Sequence, residues 1–281
     1  MHKYSKIALS VAAGFCSVAA QAQSSSTSAD DGSTPAAATQ ASLIRSIAGD
    51  PEARRPLGQL RMPLCLAVAA EDDDFARIVA KRIIANAKAA GVRTRKAGCR
   101  PNALVTFSAD AREQIAAYRA EGRKVFRRMS EKEIDAAMSG RDPAYVFQAT
   151  VPNRRPELGD PFALFDGGPN WTKEASPLRT PEEMMSTLVV IEADAIADFT
   201  PMQLADYASL RLLAPTREIA ADGDGAGRTI LSLFAAPDTA PAQMTRTDRA
   251  YLKTLYKMPA FAFSSEVLAA AVVEAAREDG R

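Results

Sequence analysis

The residues in this chain whose types and spacing could do chemistry are mostly acidic. Glu192 and Asp194 alternate along the end of a strand-forming segment, so both would face one side and bind a hard cation or share acid–base work. A solvated strand end explains the same pair, and a typical metal site needs more oxygen ligands than these two. Asp72, Asp73 and Asp74 would chelate, or would simply favour the N-terminus of the helix that follows them. Asp222-Gly223-Asp224-Gly225-Ala226-Gly227 begins like a calcium loop, but alanine stands fifth and Leu233 stands twelfth, where a bidentate glutamate belongs. Its glycines precede a strand-like run and do not follow one, which is the wrong context for a dinucleotide fingerprint. Trp171, the single tryptophan, is either a binding anchor in a glycine–proline loop or a ring folded back on the core.

Imidazole is the missing group. The one histidine, His2, lies in a stretch with the three parts of a secretory leader: basic Lys3 and Lys6, an apolar run from Ile7 to Ala20, and Ala20-Gln21-Ala22 as a cleavage site. Removal of residues 1–22 as a signal peptide would leave a mature chain without histidine. Ser-His-Asp, Cys-His and His-ligated zinc mechanisms are then closed together. No G-x-S-x-G elbow and no G-x-x-x-x-G-K-[ST] phosphate loop occurs. No catalytic residue, metal ligand set or cofactor is therefore expected.

Cleavage takes two of the 35 basic residues and none of the 34 acidic ones, so 33 against 34 gives a mature charge of −1. That balance argues against a nucleic-acid partner. No later apolar run has the length of a membrane span. Cys65 and Cys99 survive processing, and in an oxidising compartment they read as one disulfide, with two buried free thiols as the alternative.

The elements that would position these groups follow from periodicity. Residues 23–41 are serine, threonine, alanine and glycine with almost no large apolar side chain, which predicts a disordered tether. Residues 42–281 then form a single α+β domain. Leu64 to Ala69 reads as a buried strand, and Phe75, Val79, Ile83 and Ala87 mark the apolar stripe of a helix ended by Gly91. Ala103 to Phe107 is a second strand, which completes an N-terminal β-α-β unit, and Val92 to Lys96 is expected as a polar edge strand. Asp110 to Glu121 and the capping box Ser130-Glu131-Lys132-Glu133 start further helices. Tyr145 to Val151, Leu188 to Ile191 and Thr229 to Phe234 read as strands, and Asn153 to Leu178 as a long loop. Thr200-Pro201-Met202-Gln203 opens a helix to Leu213, and helices over Arg246–Tyr256 and Ser265–Glu278 close the chain.

Cys99-Arg100-Pro101-Asn102 with Ala103 to Phe107, Gln203-Leu204-Ala205-Asp206-Tyr207-Ala208, and Thr229 to Phe234 resemble a family of uncharacterised exported bacterial proteins. The likeness runs from about Leu60 to Tyr256 and implies an architecture and an export signal, with no reaction attached. Met244-Thr245-Arg246-Thr247-Asp248 through Leu255-Tyr256 is similar to the terminal helix of matrixin-type zinc metallopeptidases. A degenerate zincin-like fold would follow, with Gln203, Leu204 and Tyr207 where H-E-x-x-H belongs. Glutamine and tyrosine are poor zinc ligands and leucine is no base, so that resemblance implies a lost active site.

In that frame Gln203, Asp206, Tyr207 and Arg211 are binding-groove candidates, because positions 203, 207 and 211 stand one turn apart. Core packing of Tyr207 with local bonding of the others is the competing expectation. The chain is thus expected to be a periplasmic or secreted, non-catalytic protein that binds an unknown envelope protein or polar ligand. The alternatives are a carboxylate-only hydrolase of envelope glycans, which needs just two acids at the right separation, and a pseudoenzyme that regulates a metallopeptidase.

Overall fold

The computed structural model describes residues 35–152, 180–223 and 225–279. The leader, most of the expected tether, the loop of Asn153–Leu178 with Trp171, and Asp224 lie outside them. Strands β1 (Leu66–Ala69), β2 (Ala103–Ser108), β3 (Ala144–Pro152) and β4 (Glu182–Glu192) form one sheet in the order β1-β2-β4-β3. β1, β2 and β4 run parallel, and β3 pairs antiparallel with β4. The fold is α+β: a mixed sheet with helices on both faces.

One face carries α2 (Asp73–Ala89), packed on β1 through Val79, Ile83 and Ala87, and α5 (Pro201–Leu213) beside it. Helices α6 (Arg246–Lys257) and α7 (Ser264–Asp279) pair with each other and with α1 (Pro35–Ala48), adding to the same apolar core. The other face is covered by α3 (Ala111–Ala120), a 3₁₀ turn at Phe126–Arg128 and α4 (Glu131–Met138), which bury Ile115, Phe126 and Ile134 on Phe147, Leu188 and Val190.

Local chemistry explains the boundaries. Asp72 caps α2 by accepting from the Asp74 and Phe75 amides, Ser130 and Glu133 form the expected capping box, and Gly91 turns the chain out of α2 at φ 89°. Cys65 and Cys99 are bonded, with Cα atoms 6.0 Å apart, so the bridge joins the residue before β1 to the loop before β2.

Three expectations are corrected. Helix α1 takes in Pro35 to Ala41, which composition assigns to the tether. Alanine is the best helix former, and buried Leu43, Ile44 and Ile47 anchor the helix downstream. Val92 to Lys96 makes only an isolated bridge, Leu64 to Thr94, because that edge of the sheet continues no further. Thr229 to Phe234 is no strand but a buried 3₁₀ turn at Ile230–Ser232. Its amides are satisfied by side chains: Leu231 N–H donates to Thr229 Oγ1 and Ile230 N–H to Asp248 Oδ2. A short apolar run cannot by itself distinguish a buried strand from such a turn.

Candidate functional site

Helix α5 carries the four residues singled out from the sequence, and the fold sends Gln203 and Asp206 to different partners while Tyr207 and Arg211 stay together. Gln203 completes the capping box: its Oε1 accepts from the Thr200 amide at 3.0 Å, and its Nε2 donates to the Pro241 carbonyl at 3.2 Å. Asp206 turns the other way, into α2. Its carboxylate accepts from Arg82 Nε at 2.6 Å and Nη2 at 2.8 Å, from Asn86 at 2.7 Å and from the Met244 amide at 2.7 Å. Burial works against its charge, but these bonds outweigh that cost and hold the carboxyl below the usual range.

Tyr207 is fully buried, its ring edge-to-face on Phe234 at 5.0 Å and its hydroxyl donating to Asp142 at 3.0 Å. Arg211 lies nearby with its guanidinium 5.8 Å from the Tyr207 ring centroid, one bond of 3.4 Å to Thr216, and a buried Nε without a partner. Asp142 is 7% exposed, and burial together with the Glu218 carboxylate pushes its pKa up to about 6, against the pull of Arg211, Tyr207 and Arg141. Tyr207 itself is driven well above the normal phenol range by burial. Asp206 and Tyr207 are fully buried and Arg211 is 6% exposed, so these side chains offer little surface to a ligand. Gln203 is occupied as a cap.

The acidic candidates are also spent on structure. Glu192 ends β4 and accepts from the Ala111 amide at 3.0 Å, joining Asp110 at the start of α3. Asp194 sits in the following 3₁₀ turn, Ala193–Ile196, and not on the strand, so the expected alternation of the pair on one face is lost. Asp72 caps α2, and Asp74 pairs with Arg77. Among the described residues, no group of three or more acidic, cysteine or histidine side chains stands close enough to hold a metal ion.

Among the described residues, the opposite end of the sheet presents a concave surface. Ala67, Leu104 and Leu188 form a row across β1, β2 and β4. The row floors a cleft of about 950 Å³ beside the Cys65–Cys99 bridge. Exposed Arg95 and Arg100 line it from the α2–β2 loop, and exposed Arg123, Lys124, Arg127 and Arg128 from the turn after α3. Asn102 anchors the first group: it accepts from the Cys65 amide at 2.8 Å and donates to the Pro63 carbonyl at 3.2 Å. Among the described residues, no carboxylate lines this cleft to supply the acid and base of a two-carboxylate glycosidase.

Comparison of the chain with protein-family models, with curated proteins and with solved structures finds no match.

Sequence reasoning missed both the partners of Asp206 and the basic cleft. Arg82 and Asn86 stand one turn apart on α2 and together form the donor face that meets Asp206. The run Arg123-Lys124 and Arg127-Arg128 is visible in the sequence, but a balanced net charge conceals its convergence with Arg95 and Arg100.

Proposed function

We propose that this is an exported, non-catalytic protein that works in the cell envelope, or outside it, by binding a partner through the cleft beside Cys65 and Cys99. The observation that carries this reading is a division of labour. Asp206 and Tyr207 of α5 are buried and bonded to other segments of the fold, whereas the concave surface offers donors and an apolar floor. Such a surface can recognise, and its described lining holds no acid–base pair. A periplasmic or secreted location is supported by the leader-like start and by the intrachain disulfide. No helix among the described residues is long and apolar enough to cross a membrane.

In-cell crosslinking followed by co-purification from the envelope tests the proposal. A reproducible partner, lost when Arg100 and Arg127 are both changed to Glu, is the expected result. Absence of any reproducible partner, or recovery of the chain with Met1 still attached, overturns it.

A further inference from the structure

The cleft also has a chemical preference, and reading it rests on the binding role proposed above. Six basic side chains converge on one concavity with no acidic residue among its described lining, in a chain of 35 basic and 34 acidic residues. Arg123 is partly engaged, 2.9 Å from Glu121 and stacked 4.1 Å from the Tyr118 ring centroid. Among the described residues, Arg95, Arg100, Lys124, Arg127 and Arg128 take part in no ion pair with a carboxylate. Like charges so gathered repel one another, and a low-dielectric apolar floor strengthens their common field.

A polar group waits at the same place. Ala149 pairs with Ser186 and Thr150 with Met184, so Met185 is skipped by β3 at a register shift. Met185 and Ser186 both line the cleft, and Ser186 Oγ is buried without a hydrogen-bond partner. A buried hydroxyl left unmade is costly, and a ligand oxygen would satisfy it.

We infer that this cleft binds a ligand bearing two or more phosphate groups on an apolar body. Five of the six cations are arginines, whose planar fork matches tetrahedral oxyanions bidentately. Two clusters, on separate loops, suit two anionic groups better than one. The row Ala67, Leu104 and Leu188 suits an apolar portion between them. Single-stranded nucleic acid fits less well, because no aromatic side chain among the described residues lines the cleft to stack a base.

Calorimetric titration of the full-length processed protein with inorganic pyrophosphate, and co-sedimentation with phosphatidylcholine vesicles with and without cardiolipin, tests this. Saturable binding is expected, roughly tenfold or more weaker in the Arg127→Gln/Arg128→Gln double variant and in Arg100→Gln, since each removes charge-assisted bonds. Ser186→Ala is expected to weaken it further, and Lys81→Gln/Lys88→Gln, on α2 and outside the cleft, to leave it unchanged. Circular dichroism melts verify that each variant is folded. Pyrophosphate binding without cardiolipin-dependent sedimentation assigns a soluble phosphorylated ligand; binding in both arms assigns a lipid headgroup. The inference is overturned by no saturable binding in either arm at low ionic strength. Equal weakening by the Lys81/Lys88 variant overturns it too, because the attraction is then only net charge. A partner crosslinked in the envelope with no phosphate binding sinks this inference alone and leaves the binding role standing.

Discussion

Arg82 grips Asp206 with two parallel bonds, Nε to Oδ1 at 2.6 Å and Nη2 to Oδ2 at 2.8 Å, and so bolts α2 to α5 across one face of the sheet. The carboxylate is fully buried, while the Arg82 side chain keeps 25% of its surface exposed. Asn86 and the Met244 amide fill the remaining lone pairs, and the Met244 bond ties in the start of α6. One acidic side chain therefore joins three helices, and its charge is fully compensated.

Asp206→Ala is expected to cost about 3–5 kcal/mol, because it strands the buried Met244 amide and the inner face of Arg82. Urea denaturation measures it. The carboxyl is held below its ordinary pKa in the folded state, so its contribution is complete above the unfolded value near pH 4 and is lost as pH falls through the folded one. The acid limb of the stability curve should flatten in the variant. An unchanged limb would show that Asp206 is not ionised in the fold.

Asp142 behaves with the opposite sign. Its folded pKa of about 6 lies above the unfolded value of 3.8, so its proton favours the folded state. That favourable contribution is complete below pH 4 and is lost as pH rises through about 6, a swing of ~3 kcal/mol. Asp142→Asn keeps an acceptor for the Tyr207 hydroxyl and removes the titration. The difference in unfolding free energy between the two proteins should change across pH 4 to 7 and be level outside it.

Much of this fold is legible in the sequence because its determinants are local. The stripe Phe75, Val79, Ile83, Ala87 forms α2, and Thr200-Pro201 with Gln203 forms the start of α5. The α+β class follows from the same kind of reading, and the bonding of Cys65 to Cys99 from an even pair of cysteines in the oxidising compartment that the leader implies. What escapes is non-local. Asp206 looks available on a helical wheel until α2 supplies Arg82 and Asn86, and Glu192 looks paired with Asp194 until α3 supplies the Ala111 amide. The Ile230–Ser232 turn is misjudged for the same reason, since Asp248, far along the chain, satisfies its backbone.

Asp248 is the hinge of that last arrangement. Fully buried, it accepts from Thr229 Oγ1, from the Ile230 amide at 2.9 Å and from the Thr245 amide at 2.9 Å, so it caps α6 and fixes the turn together. Asp248→Ala leaves two inward-facing backbone donors unpaired and is expected to cost about 2–5 kcal/mol. Thr229→Val removes the hydroxyl's bond to Asp248 and the acceptor of a single backbone donor, the Leu231 amide, and should cost about 1–2 kcal/mol. Equal losses in thermal unfolding of the two variants would show that the backbone donors find other partners.

The Cys65–Cys99 bridge closes a loop with a sequence separation of 34, which the chain-entropy account values at about 4 kcal/mol. Reduction, or replacement of both cysteines by alanine, should lower the unfolding free energy by that order while the sheet persists, because β2 still pairs with β4 over six residues. The effect on the cleft should be selective. Arg100 follows Cys99 directly, and Asn102 is tied to the backbone at Cys65 and Pro63, so this cluster loses its anchor on one side and keeps it on the other. Arg123, Lys124, Arg127 and Arg128 stand on the turn after α3 and are held by Phe126 packed on Phe147, which the bridge does not touch. Amide hydrogen exchange before and after reduction separates the two. Faster exchange at 99–102 with unchanged protection at 125–129 is the expected pattern, and loss of protection in both segments together would mean that the bridge supports the whole domain and not one rim of the cleft.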